Sequence, residues 1–182
     1  MRRIAVKKHI AVPLSRFSWP GKICRLARSE CPAFFSADVT VQGETVHICF
    51  RTEGYWPLKE SGTLTCIECL EILKELIHHL TEARDWMWYP EQTVISPDTV
   101  WIGTDGQIRL LCIPDSCELA LFRRLNIFAE SMKRLTDASG KHILSCLQRE
   151  WMDKSHPDYK IMGAIDRMIL DLREYSSYHF IR

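Results

Sequence analysis

Two cysteines at the start of a predicted helix have a spacing that zinc sites and redox-active thiol pairs share. Cys66 and Cys69 are separated by two residues, and such a pair can ligate zinc or exchange disulfides. A zinc site needs two further ligands, and the cysteines at 24 and 31 and at 112 and 117 lack a suitable spacing. The simpler prediction is a helix with one buried and one exposed thiol. A small cytosolic enzyme with thiol or metal chemistry at Cys66, Cys69 and His78 is the alternative.

Two adjacent histidines lie near the end of the same helix. His78 and His79 are followed by Glu82 and Asp85, but neighbouring residues on a helix point about 100° apart and cannot share one face. Histidines near a helix C-terminus interact favourably with the helix dipole. No serine, histidine and aspartate in the chain carry a nucleophile-elbow signature. We therefore predict no catalytic, cofactor-binding or metal-binding residue.

The composition indicates one ordinary globular domain. The chain has 182 residues, of which 46% are hydrophobic and 26% charged, and its net charge is +1. This charge gives no global attraction to nucleic acid, and no apolar run approaches the ~20 residues that span a bilayer. The basic N-terminus lacks the apolar run of a signal peptide. We expect a cytoplasmic protein with eight reduced cysteines and no nucleic acid partner or membrane insertion. The oligomeric state is left open.

The centre of the chain is predicted to be one amphipathic helix followed by a tight hairpin. Thr65 and Glu68 form a capping-box pattern, and apolar residues then recur at helical spacing up to Ala83. The strands Thr99–Ile102 and Gln107–Cys112 flank an Asp-Gly turn, because glycine takes a positive φ without steric cost. We expect this hairpin to be antiparallel and to pack on the helix.

The flanking regions predict strands before the central helix and helices after the hairpin. An α+β fold is therefore expected for residues 1–175, with strands mainly in 1–60, the helix and hairpin in 61–114, helices in 115–175, and a frayed tail at 176–182. The predicted elements are one or two strands in 4–14, a short helix at 22–29, a hairpin at 34–50, a connector at 55–58, and helices at 119–135, 143–152 and from 158.

The hairpin region resembles the middle of a protein kinase. Ser96-Pro97-Asp98-Thr99 lies where kinases carry the motif KPEN, and Asp105-Gly106 begins a segment similar to the kinase motif DGxVKL. The closer resemblance is to an uncharacterised Firmicutes domain usually found N-terminal to a forkhead-associated domain. It rests on VISPDTVWI at 94–102 and IRLLCIP at 108–114. The resemblance implies a reduced, pseudokinase-like C-lobe that serves as an interaction or scaffold module in bacterial signalling, secretion or pilus assembly.

The kinase resemblance also implies that catalytic groups are replaced. Counting from Gly106, the catalytic base position falls on Val94, the metal-binding asparagine on Thr99, and the metal-binding aspartate on Cys112. Valine cannot accept a proton, and threonine or cysteine does not supply the anionic oxygens that magnesium needs. The resemblance therefore implies a protein that is not an enzyme and binds no nucleotide cofactor.

Two surfaces are candidates for binding a protein partner. The connector residues Tyr55, Trp56 and Leu58 lie where a kinase cleft opens, and Arg123 and Arg124 give one predicted helix a basic side. The alternative for the arginines is a solvated helix face. The alternative for the connector is that residues 1–33 fold back over it and bury it. We expect Trp101 to be core, and leave Trp56 open between core and contact.

An aromatic run follows the central helix, from Trp86 to Pro90. Exposed aromatic residues of this kind dominate protein interfaces. The preferred alternative is a plug that packs the helix end against the hairpin.

Overall fold

The protein has an α+β architecture, with one sheet that precedes the central helix in the chain and a second sheet whose strands come from both sides of it. The computed structural model describes residues 7–17, 31–86, 88, 93–114, 119–152 and 158–179, and for 150–152, 158–161 and 174–179 the description is limited to the backbone. The predicted helix at 22–29 lies outside the described residues. The elements are β1 (Lys7–Pro13), β2 (Ala37–Gln42), β3 (Thr45–Arg51), β4 (Tyr55–Pro57), α1 (Cys66–Ala83), β5 (Val100–Gly103), β6 (Ile108–Leu110), α2 (Leu121–Met132), α3 (Ala138–Met152) and α4 (Asp158–His179).

The first sheet is antiparallel, in the order β1-β3-β2. The β2–β3 hairpin closes at Gly43, whose φ of 58° suits glycine, and confirms the hairpin predicted for residues 34–50. Alternation places Val46, Ile48 and Phe50 on one face, where all three are buried. The opposite face is mainly exposed, so this sheet covers the core from one side only.

The central helix α1 begins as its sequence predicts. The backbone N–H of Thr65 donates to Glu68 Oε2 at 2.7 Å, and the N–H of Glu68 donates to Thr65 Oγ1 at 3.3 Å. This capping box satisfies two of the N–H groups that a helix start leaves without partners. The apolar stripe of α1 is buried, and the helix contacts β6, α3 and α4. α1 is therefore the element around which the other layers assemble.

The second sheet has the order β4-β5-β6 and contains the predicted hairpin. β5 and β6 pair antiparallel, and Gly106 takes a φ of 83° in the turn between them. The sheet is anchored to α1, because Glu75 Oε1 accepts the backbone N–H of Ile108 at 2.9 Å. The prediction of an antiparallel hairpin on the central helix is confirmed. The segment 55–57 was expected to be a connector, but its backbone pairs with β5 as a third strand.

The C-terminal part is helical, with one boundary placed differently from the prediction. Ser139 and Gly140 were expected to separate two helices, but both lie in the first turn of α3. The reason is Asp137, whose Oδ1 accepts the backbone N–H of Gly140 at 2.8 Å and so stabilises the helix start. The last helix starts at Asp158 as predicted, and it runs beyond Ser176, where a frayed tail was expected.

Candidate functional site

The fold brings the three kinase-equivalent positions together around one turn. The hydroxyl of Thr99 donates to the carbonyl of Val94 at 3.0 Å and accepts the backbone N–H of Ser96 at 2.9 Å. The carbonyl of Thr99 in turn accepts the N–H of Leu111 at 2.8 Å, which places Cys112 beside the turn. The counting that aligned these residues with kinase catalytic positions therefore corresponds to spatial neighbours.

The side chains at these positions stabilise the fold. Thr99 is 4% exposed and Cys112 is 1% exposed, and the Thr99 hydroxyl is already engaged by backbone groups. The hydroxyl of Thr99 donates to a backbone carbonyl and accepts a backbone N–H, so it is a structural part of this turn. The side chain of Val94 has no atom that can accept a proton. The arrangement closes a turn against the core.

The Cys-x-x-Cys pair consists of buried Cys69 and half-buried Cys66, where the simpler prediction expected one buried and one exposed thiol. Cys69 is fully buried, and its desolvation raises the pKa of that thiol to about 11. A thiolate, which is the nucleophile and the metal ligand, is therefore disfavoured at Cys69. Among the described residues, no group of three or more histidine, cysteine or acidic side chains has a geometry for a metal ion.

Each of the two histidines of α1 has a ring nitrogen close to a glutamate carboxylate of the same helix. His78 Nε2 lies 3.2 Å from a carboxylate oxygen of Glu82, and His79 Nε2 lies 3.4 Å from one of Glu75. Both pairs have the i,i+4 spacing that places side chains next to each other on a helix. The pairs orient the histidines along the helix surface, in agreement with the structural role predicted for them.

A groove of about 520 Å³ runs between α1 and the β5–β6 turn, and sequence reasoning missed it. A smaller hollow of about 360 Å³ adjoins it and shares Glu71 and Glu75. We call the two together the acidic groove. Its larger part is lined by Leu64, Glu68, Glu71, Ile72, Glu75, Ile102, Asp105, Gly106 and Gln107, and its smaller part adds Lys74, His78 and Met162.

The carboxylates of the acidic groove are held in place by the fold. Glu68 belongs to the capping box, and Glu75 accepts the Ile108 N–H. Asp105 Oδ1 accepts the N–H of Gln107 at 3.1 Å within the turn. The groove therefore presents fixed negative charge beside the apolar side chains of its walls. Acidic residues at helical spacing on α1 were the sequence signal that would have indicated it.

The groove also reaches the last helix. Glu71 pairs with Arg173 of α4 at 2.6 Å, with both side chains about half exposed. A pair this exposed contributes little to stability. Glu71 can therefore exchange Arg173 for another cation with little loss to the fold.

The connector residues have unequal exposure. Tyr55 and Trp56 are half-buried, whereas Leu58 is fully buried in the core. Leu58 was predicted to contact a partner, and this is wrong because no part of its side chain reaches solvent. Trp56 pairs with Ile102 across the sheet and so shares a face with a wall of the acidic groove. Within the described part of the chain, its buried Nε1 has no hydrogen-bond partner.

The basic side predicted for residues 119–135 is not a continuous surface. Arg123 is exposed, but Arg124 is only 5% exposed. Arg124 lies on the same face of α2 as Leu121 and Phe128, which are buried, so its burial follows from helix periodicity. The prediction of Arg124 as a partner contact is wrong, and Arg123 stays a prediction.

The aromatic side chains of the second sheet form a cluster with Phe35. Trp101 is 1% exposed and its Nε1 donates to the carbonyl of Asp98 at 3.1 Å, which confirms the expectation that it is core. Phe35 packs edge-on against both Tyr55 and Trp101, with ring centroids 5.1 and 5.9 Å apart. Phe35 thus covers part of the connector, whereas most of residues 1–33, for which that cover was considered, lies outside the described residues.

The aromatic run after α1 divides between core and surface. Trp88 is 9% exposed and packs against Phe34, with ring centroids 5.7 Å apart, whereas Trp86 is 45% exposed. Trp88 therefore plugs the helix end, as the preferred interpretation stated.

In the described part of the chain, no helix is long and apolar enough to cross a membrane.

Comparison with known proteins identifies the fold but no sequence family. No family model matches the chain, and no curated protein matches it in sequence. The cytoplasmic fragment of EssB from Geobacillus thermodenitrificans is similar in structure, with a TM-score of 0.60 and 9% identity over 96% of this chain and 88% of that one. The EssB fragment from Staphylococcus aureus has a TM-score of 0.49 and 16% identity over 92% and 98%.

A kinase is also among the similar structures. It is a divergent kinase lacking the glycine-rich loop, from Toxoplasma, with a TM-score of 0.57 and 11% identity over 86% of this chain and 66% of that one. The Geobacillus and Toxoplasma structures together support the architecture that the sequence of the hairpin region indicated. The chain has a kinase-like α+β fold.

Proposed function

We propose that this protein is a non-catalytic protein-interaction or scaffold module in a bacterial signalling, secretion or pilus-assembly system. The observation that carries the proposal is the combination of a kinase-like fold with Val94, Thr99 and Cys112 at the catalytic positions. Phosphoryl transfer depends almost entirely on groups that position substrate and magnesium. A fold that lacks them keeps its surfaces for recognition.

The similar structures support the setting of this proposal. The Geobacillus neighbour is described as a cytoplasmic fragment of EssB, and the Toxoplasma neighbour is described as a divergent kinase. We place the module in the cytoplasm and treat residues 1–175 as one domain. The association with a forkhead-associated domain stays a prediction.

The acidic groove is the surface that we assign to the partner. Three of its carboxylates, those of Glu68, Glu75 and Asp105, are held by backbone hydrogen bonds, so a partner does not have to order these three on binding. Ile72 and Ile102 give the groove apolar walls, which suit the aliphatic stems of lysine and arginine. The partner segment is therefore basic, with its charged ends directed at Glu71 and Asp105.

A pair of double variants tests the groove as a docking surface. Glu71→Gln with Gln107→Lys raises the groove charge by two units and leaves the capping box and Glu75 intact. Glu44→Gln with Gln42→Lys makes the same two substitutions on the exposed β2–β3 hairpin. Each protein is immobilised, exposed to lysate of the native host, and its captured proteins are quantified by mass spectrometry.

We expect at least one protein to be captured by the wild type and by the hairpin variant, and not to be captured by the groove variant. Electrostatic recognition also predicts that capture weakens as salt rises. If the groove and hairpin variants capture the same set of proteins as the wild type, the groove is not the docking surface. If none of the three enriches any protein over a blank resin, the interaction function itself is contradicted.

A further inference from the structure

Three side chains on the surface of α3 form a cluster around a sulfur atom. Cys146 Sγ lies 3.6 Å from His142 Nε2 and accepts a hydrogen bond from an Arg149 guanidinium nitrogen at 3.2 Å. The three residues have i−4, i and i+3 spacing, so the helix places them on one face. Cys146 is half-buried, and His142 and Arg149 are exposed. The sulfur thus lies between an imidazole nitrogen and a guanidinium cation, on a partly exposed face of the helix.

The other described thiols lack this combination. Cys31, Cys69 and Cys112 are buried, and burial raises the pKa of the Cys31 and Cys69 thiols. Cys49 lies 3.4 Å from His9 Nε2, but the adjacent Arg51 is committed to Asp38 at 2.7 Å. Reactive cysteines occur in electropositive, partly exposed surroundings. At Cys146 both an imidazole nitrogen and a guanidinium nitrogen lie within hydrogen-bond distance of the sulfur.

We propose that Cys146 is a site of reversible S-thiolation by small cellular disulfides. His142 Nε2 accepts the thiol proton, and the Arg149 guanidinium stabilises the thiolate. The thiolate sulfur attacks one sulfur of the disulfide RSSR, the S–S bond breaks, and the leaving thiolate takes the proton from the imidazolium. The balance is protein–SH plus RSSR to protein–SSR plus RSH, with Cys146 oxidised and one RS group reduced.

The test measures thiolation of each cysteine in the same sample. The full chain is reduced, exposed to oxidised glutathione, and quenched at intervals, and peptide mass spectrometry then gives one rate for each cysteine. Half-buried Cys66 serves as the internal reference. We expect Cys146 to react about threefold faster than Cys66 or more, and dithiothreitol to reverse the modification. A rate at Cys146 no greater than that at Cys66 overturns the proposal.

Three variants of α3 separate the cluster from the general charge of the helix. His142→Gln and Arg149→Gln should each slow Cys146 about threefold or more, and leave the Cys66 rate unchanged. Lys141→Gln removes one positive charge from the same helix on a different face and should leave the Cys146 rate unchanged. The proposal fails unless both cluster variants slow Cys146, and it also fails if Lys141→Gln slows it equally.

This site is independent of the proposed interaction function. Thiolation can be measured on the isolated chain without a partner, and Cys146 does not line the acidic groove. Loss of partner capture in the groove variant would leave the Cys146 rates unchanged. Failure of one proposal is therefore distinguishable from failure of the other.

Discussion

At the residue scale, the side chains at the kinase-equivalent positions are used to close a turn. The Thr99 hydroxyl bridges the backbone at 94 and 96, and Cys112 is buried below it. Sequence counting could identify which residues occupy these positions. It could not show that Leu58 and Arg124 are buried, because a short turn and a mixed helix face leave the direction of a side chain undetermined.

The half-burial of Trp56 leads to a prediction for the connector. Trp56→Ala should lower the free energy of unfolding by about 2 kcal/mol, less than the ~3–5 kcal/mol of a fully buried tryptophan, because part of the indole is exposed. Leu58→Ala, at a fully buried neighbour, should cost about 2–5 kcal/mol. Urea melts of both variants measure these losses. A loss under ~0.5 kcal/mol for Trp56→Ala would instead identify a surface contact residue.

At the element scale, the helices and hairpins with strong local signals could be predicted, and short elements defined by distant contacts could not. The capping box fixed the start of α1, and the Asp-Gly turn fixed the β5–β6 hairpin. β4 has three residues and ends in proline, so its strand character depends on pairing with β5. The acidic groove likewise forms only when α1 and the hairpin turn meet, 30 or more residues apart in the chain.

The start of α3 provides a prediction about packing between elements. A Cβ added at Gly140 would lie 1.9 Å from Thr136 Oγ1, and that hydroxyl donates to the carbonyl of Leu64 at 2.7 Å. Gly140→Ala should therefore destabilise the protein by about 1–3 kcal/mol, because the clash moves a buried hydrogen bond that joins α3 to the start of α1.

Gly163 offers the matched control for this change. It lies in α4, and a Cβ added there meets no atom within 4 Å. Gly163→Ala should raise the free energy of unfolding by up to about 1 kcal/mol, through helix propensity alone. Thermal or urea unfolding compares the two variants. Equal effects of the same sign would contradict the packing account.

At the scale of the whole molecule, a kinase-like fold is combined with a surface suited to recognition. The central helix carries the apolar stripe that holds the layers together on one side and the carboxylates of the acidic groove on the other. Stability and the proposed docking surface thus depend on the same element. A substitution at Glu71 on the groove side of α1 should change binding with little change in stability, because this carboxylate is half exposed.

Thermal unfolding in the presence of magnesium and ATP tests the central claim most directly. A ligand that binds only the folded state at a hundredfold excess over its Kd stabilises that state by ~2.7 kcal/mol, which raises the Tm of a chain of this size by about 5–10 °C. If Val94, Thr99 and Cys112 stand at the catalytic and metal-binding positions, as we propose, millimolar Mg·ATP should leave the Tm within about 1 °C of the value with magnesium alone. A saturable, magnesium-dependent rise of several degrees would contradict the account of a kinase-like fold without nucleotide chemistry.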